Sequence, residues 1–197
     1  NSTVIDEETL MHDRNAAMAL LSEYTQSQSL INHALSVEAC MRWYADHLHA
    51  TSPDIDVELW GMTGLLHDFD YEKYPDPPDH TEKGSIILQE LGYPHDVIYA
   101  IRSHAEWSGC PRQSLLDKGL FACDELSGFI TAVALVRPDR KIQGLEVRSV
   151  RKKMKDKAFA RTVSRDDIVN GAQELGVELD EHISFCIGAL EGVADQL

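Results

Sequence analysis

The chemical potential of this chain lies in its imidazoles and carboxylates. His33 stands four, eight and eleven residues before Val37, Met41 and Tyr44, so a helix here turns it onto the apolar stripe. A histidine in that position is either a core residue satisfied by hydrogen bonds or a ligand. His67-Asp68 closes the apolar run Gly64-Leu65-Leu66, and an imidazole beside a carboxylate at a helix end can turn both groups toward one cation. Asp124 lies within Leu120-Phe121-Ala122-Cys123-Asp124-Glu125-Leu126, where one acid must face out and the other can face in. An inward carboxylate there needs a metal or a cationic partner. His80 opens a helix after Pro77-Pro78-Asp79, and His104 closes the next one on the face of Val97 and Ile101. Taken singly, each also reads as an ordinary helix-end residue, and a histidine at a C-terminus suits the helix dipole.

Helices must position these groups. Apolar residues recur at helical spacing almost throughout and period-two alternation is nearly absent, which predicts an all-α fold. The spacing predicts helices over 7–24, 29–48, 57–67, 80–91 and 94–104, the last with Pro94 at its first helical position. A long helix capped by Ser114 follows and ends before Pro138; then come one over 145–160, one capped by Ser164, and one capped by Asp180. The proline- and tyrosine-containing stretch 68–79 reads as a loop. With no repeat, low-complexity tract or linker, one domain is expected over 1–197. Its ligand-bearing core spans about 30–136, and C-terminal helices over 145–197 pack on it.

The 197 residues include 33 Asp+Glu against 18 Lys+Arg, a net charge of -15, which disfavours a nucleic acid polymer or an anionic membrane as partner. The longest apolar stretch, 129–136, is far short of the ~18–20 residues needed to span a bilayer, so a soluble, cytoplasmic protein is expected. Cys40, Cys110, Cys123 and Cys186 are widely spaced without a C-x-x-C and read as reduced, mostly buried thiols.

In order, His33, His67-Asp68, His80, His104 and Asp124 resemble the H…HD…D signature of the HD superfamily of metal-dependent phosphohydrolases. The two extra histidines are similar to those of its binuclear branch, which includes the HD-GYP phosphodiesterases and the di-iron HD oxygenases. The resemblance covers about 30–136 and implies an HD-domain helical bundle. It implies that His33, His67, Asp68 and Asp124 hold one divalent ion, and that Asp68, the catalytic residue, bridges to a second held by His80 and His104. Fe or Mn come first for such a donor set, with Mg, Co or Ni as alternatives. Two ions about 3.5–4 Å apart can share a hydroxide and steady both oxygens of a phosphoryl displacement, so no protein nucleophile is required.

The implied function is hydrolysis of a nucleotide-like or other small phosphate ester, as a phosphomonoesterase or phosphodiesterase, through a metal-bound hydroxide. The alternatives are a di-iron oxygenase cleaving a C–C or C–P bond on the same ligands, and a non-catalytic sensor that uses the metal pocket. In His67-Asp68-Phe69-Asp70-Tyr71 the lysine of the HD-GYP run HDIGK is missing, and His104 stands alone where those proteins have a pair, which disfavours cyclic di-GMP as substrate. The phosphonate oxygenases carry a Tyr and a Glu ahead of the first ligand; here Tyr24 is followed by Thr25-Gln26-Ser27.

Residues 137–161 hold ten Lys+Arg and three acids, a local +7 that leaves -22 elsewhere. Arg148, Arg151, Lys152 and Lys155 form a row beside the stripe of Val147, Val150, Met154 and Ala158. They read either as a solvated face or as a phosphate-binding border of the cleft. Lys83, one turn beyond His80, is a second phosphate candidate; the expected substrate-binding set is Lys83, Arg148, Lys152 and Lys155. Trp107 can wall the pocket, Tyr71, Tyr74 and Glu72 can shape access, and Asp70 or Glu72 can shuttle a proton. His12, His47, His49, His95 and His182 need no role. The expected partner is a small phosphorylated molecule, with the chain a monomer or homodimer.

Overall fold

The structure, a computed structural model, describes residues 12–197. Among the described residues are nine α-helices, two short 3₁₀ turns and no strand, an all-α architecture. No described helix is long and apolar enough to cross a membrane. All four cysteines are free; Cys40, Cys123 and Cys186 are buried and Cys110 is half-buried.

The first helix, α1 (Arg14–Tyr24), starts where Asp13 accepts a hydrogen bond from the Ala16 N–H; the expected residues 7–11 of this helix lie outside the described residues. Ser27 caps α2 (Gln28–His49), and Asp56 caps α3 (Val57–Leu66). Helix α3 is buried continuously from Trp60 to Leu66, and it packs against α1, α2, α5 and α6. Gly64 makes its approach to α2 possible. A Cβ there would stand 2.9 Å from the Val37 carbonyl oxygen and 3.0 Å from the Glu38 backbone. Beside this contact the buried Glu38 carboxylate accepts from Arg14 of α1 at 2.8 and 3.0 Å and from Arg42 at 3.1 Å, and Arg42 reaches on to Glu58 of α3. The ion network and the close glycine contact together fix where the C-terminus of α3 points, and that terminus carries His67-Asp68.

Helices α4 (Asp79–Glu90) and α5 (His95–Ser103) follow the loop, with a 3₁₀ turn over Glu106–Ser108. Pro94 precedes α5 as its N-cap instead of entering it. The second hub, α6 (Leu115–Leu135), opens on a capping box between Ser114 and Asp117 and touches α2, α3, α5 and the three helices after it. These are α7 (Val147–Met154), α8 (Arg165–Leu175) and α9 (Leu179–Glu191). Ser164 caps α8 as expected, whereas Asp180 lies inside the first turn of α9 and pairs with Arg151 at 3.3 Å.

The largest departure from the spacing is α7, which stops at Met154 although its stripe continues to Ala158. Arg165 is the reason. Its guanidinium donates to the carbonyls of Met154, Asp156, Phe159, Ala160 and Val163, replacing the helical ladder with a turn folded against α6. The same group lies 4.7 Å from the Phe129 ring centroid, and Phe159 meets Phe129 edge-on. Ala158 is consequently exposed.

Gly64→Ala is expected to push α3 off α2 and to destabilise the protein by about 1–3 kcal/mol. Thermal melting should record this as a loss of about 2–4 °C per kcal/mol.

Candidate metal centre

Five elements deliver six donors to one point. His33 comes from the second turn of α2, His67 and Asp68 from the end of α3, His80 from the start of α4, His104 from the end of α5 and Asp124 from the middle of α6. His33, His67, Asp68 and Asp124 offer donor atoms that all lie within 4.8 Å of one another, and so do Asp68, His80 and His104. Asp68 belongs to both groups, one through each oxygen. Its Oδ1 lies 3.1 Å from His80 Nε2 and 3.2 Å from His104 Nε2; its Oδ2 lies 3.2 Å from His67 Nε2 and 3.9 Å from His33 Nε2. Asp124 Oδ1 faces His33 Nε2 at 2.9 Å and His67 Nε2 at 3.2 Å.

Hydrogen bonds behind the rings settle which nitrogen faces forward. His67 Nδ1–H donates to the Gly64 carbonyl at 2.7 Å, His104 Nδ1–H donates to the Ile101 carbonyl, and His80 Nδ1–H donates to Asp70 at 2.7 Å. Each ring therefore turns Nε2 inward, the arrangement that outer-shell partners impose on ligating histidines. Imidazole nitrogen and carboxylate oxygen are donors for a borderline divalent cation, and the convergent Nε2 atoms fit one.

The mount of His80 is the most constrained. His80 is extended (φ -64°, ψ 129°) and Thr81 is left-handed (φ 60°), so regular helix begins only beyond them. A β-branched residue in that region is strained, and such strain concentrates at functional sites. Asp70 holds the turn from below, its second oxygen accepting the Gly84 N–H at 2.9 Å. A Cβ on Gly84 would come within 2.7 Å of that oxygen, so a larger residue would have to displace the Asp70 carboxylate. From the other side Trp107 Nε1–H donates to the His80 carbonyl at 2.9 Å. Asp70 thus fixes the His80 ring with one oxygen and the Gly84 N–H with the other. Glu72 is likewise committed, accepting the Gln26 and Ser27 N–H groups at the start of α2.

Without an ion, the cluster compensates its own charge. Burial pushes His67 down, but the charges of Asp68 and Asp124 and the hydrogen bonds to them prevail and hold it well above 6.5. Burial likewise opposes the charged form of His80, yet Asp68 and Asp70 raise it to about 9. Burial alone would raise Asp68 and Asp124; the neighbouring imidazoles reverse this and keep both carboxyls well below their ordinary range. Partial burial, with the Asp124 charge beside it, pushes the half-buried Glu125 up to about 7.

The centre opens into a cleft of about 420 Å³ whose rim includes Tyr71, Trp107, Glu106, Glu125, Thr162 and Asp167. Tyr71 and Trp107 both flank the His80 ring, Tyr71 edge-on. No Lys or Arg is among the lining residues. The four cations expected to bind phosphate, Lys83, Arg148, Lys152 and Lys155, are not among those lining residues. Lys83 is exposed, because the non-helical His80 and Thr81 break the helical phase that would have put it on the side of His80. Arg148, Lys152 and Lys155 are exposed as well: α7 turns Val150 inward, and Arg148 pairs with Glu146. His182, expected to need no role, is fully buried, donating through Nε2 to the Ala122 carbonyl and bonded to Tyr44 through Nδ1. Its place on the stripe of Ile183, Cys186, Ile187 and Leu190 was the available signal.

Asp70→Ala, which frees the His80 ring, is expected to weaken metal binding by roughly 10- to 100-fold in an equilibrium metal titration. Ligation requires bare Nε2 atoms, so ion binding should release protons and tighten as pH rises toward about 9. The stability of the ion-free protein should run the other way. The raised His80 contributes stability below 6.5 that is lost as pH climbs through about 9, measurable as a falling melting temperature across that window.

A family model described as HD domain matches residues 30–128, half of the chain, and this span contains all six donors. Comparison with curated proteins and with solved structures finds no match. An all-α scaffold, a His-Asp pair at the end of its central helix and a family match over the whole donor-bearing region agree: the chain belongs to the HD domain family, most of whose members are metal-dependent hydrolases.

Proposed function

We propose that this protein is a phosphohydrolase that uses two divalent ions to cleave a small phosphate ester. The observation that carries this reading is Asp68, whose two oxygens face two separate imidazole sets across a cleft open to solvent. A carboxylate shared in this way is suited to bridge two cations. Bound there, two ions would supply Lewis acidity toward the phosphoryl oxygens and a water of lowered pKa. No Ser, Cys or Lys lines the cleft, so the chain itself presents no activated nucleophile of those types.

The chain's own contribution is holding and selecting. His67, His80 and His104 are locked by their Nδ1 partners, while Trp107 and Tyr71 wall the open side. Glu106 and Asp167 place carboxyl groups around the opening, and with no Lys or Arg among the lining residues this disfavours polyphosphate and favours a substrate with a single phosphoryl group. Four imidazoles in six donors suit Fe or Mn better than Mg. That same richness in imidazole is the observation behind a second reading, a di-iron oxygenase.

One experiment separates the two. The Mn- or Fe-loaded protein is expected to release phosphate from a panel of monoesters, and Asp68→Ala should lower kcat/KM by roughly 10³-fold or more and reduce bound metal in elemental analysis. Oxygen uptake by the iron-loaded protein with no phosphate released from any ester would replace this reading with the oxygenase.

A further inference from the structure

Two hollows continue the cleft along the surface between α2 and α6. The first, of about 580 Å³, shares His33 and Gly128 with the metal cleft and is walled by Leu30, Ala132 and Leu135. The second, of about 210 Å³, shares Asn32, Thr131 and Leu135 with the first and ends at Arg140 and Lys141. The three spaces thus form one run from the donor cluster to the far end of α6.

Three polar groups of the middle groove are taken up within their own helices, while Ser29 is exposed. Ser36 Oγ donates to the Asn32 carbonyl at 2.8 Å, Thr131 Oγ1 donates to the Ser127 carbonyl at 3.0 Å, and Asn32 Oδ1 accepts from Gln28 at 2.8 Å. What remains facing the groove is mainly carbon, and Leu135 is 50% exposed on it. A Cβ at Gly128 would meet nothing closer than the His33 ring at 3.8 Å, so the glycine leaves a passage between cleft and groove.

We infer that the α2–α6 groove is a substrate subsite that takes the apolar organic group of the ester whose phosphoryl end sits at the metal ligands. The occupant is part of the substrate because the groove's inner end is His33 itself: a group lying on Leu30, Ala132 and Leu135 is continuous with one facing the donors. The wall of Leu30, Ala132 and Leu135 suits an uncharged hydrocarbon or aryl substituent, which gains by leaving water there. This assignment rests on the phosphohydrolase reading of the same site.

The test is calorimetric binding of n-alkylphosphonates, ethyl to octyl, to the Mn-loaded full chain. Affinity should rise roughly fourfold per methylene until the groove is filled. Ala132→Phe should weaken octylphosphonate at least tenfold and leave ethylphosphonate unchanged, and Leu135→Ser, at an exposed position that the fold tolerates, should reduce the same slope. A flat series in the wild-type chain, or a slope that survives both substitutions, overturns the subsite. Phosphate release from esters with a flat binding series would leave the hydrolase reading standing without the subsite. A chain-length slope lost in the variants, with no ester hydrolysed, would show an apolar binding groove beside the donors but overturn both the hydrolase reading and the groove's assignment to an ester.

Discussion

Asp68 carries one negative charge and faces four imidazole nitrogens, from α2, α3, α4 and α5, at 3.1 to 3.9 Å. A carboxylate withdrawn from water in that way is unfavourable unless cations surround it, whether protonated imidazoles or metal ions. That requirement organises the bundle. Helices α3 and α5 must end, and α4 begin, where their histidines meet this carboxylate, α2 must carry His33 past it, and α6 must bring Asp124 to close the cluster. Helix α3 is accordingly the most enclosed, held against α2 through Gly64 and tied to α1 and α2 through the Glu38 network, because an error at its C-terminus would displace His67 and Asp68 together.

Outside the donors lies a layer that does no chemistry but determines theirs. Two backbone carbonyls and one carboxylate, from Gly64, Ile101 and Asp70, take the Nδ1 protons and leave three Nε2 atoms facing inward. His80 is held most elaborately: a left-handed Thr81, a glycine at 84 that makes room for Asp70, and Trp107 bonded to its carbonyl. The strain at Thr81 persists because these surroundings over-determine it.

Charge is partitioned by location. The cations of 137–161 were candidates for the cleft, yet α7 keeps Arg148, Lys152 and Lys155 on its outer face, while acids line the cleft around the donors. Arg165, just beyond that segment, is turned inward and gathers carbonyl groups at the end of α7. The turn it builds brings Thr162 and Val163 to the cleft rim. The net of -15 therefore describes the mouth of the site as well as the surface.

The all-α class, most helix ends and the six donors were legible in the sequence, because helical periodicity and capping are local and because six His and Asp residues stand in the order of the HD signature, where a His-Asp pair alone is weak evidence. Local patterns misled where a distant side chain intervened. The stripe of α7 ran on to Ala158, but Arg165 captured the carbonyls that would have extended the helix. Lys83 shared a heptad face with His80 only on paper, since Asp70 and the left-handed Thr81 broke the phase between them. Asp70 itself bore no signal separating it from a solvated acid, its partners lying ten and fourteen residues on. The sequence by itself determined which atoms could bind a cation. The shared role of Asp68 was implied by the family resemblance, but tertiary structure alone decided which of its oxygens faces which imidazoles, which ring nitrogens turn inward and which charges reach the cleft, because these depend on distances between helices that no spacing along one helix encodes.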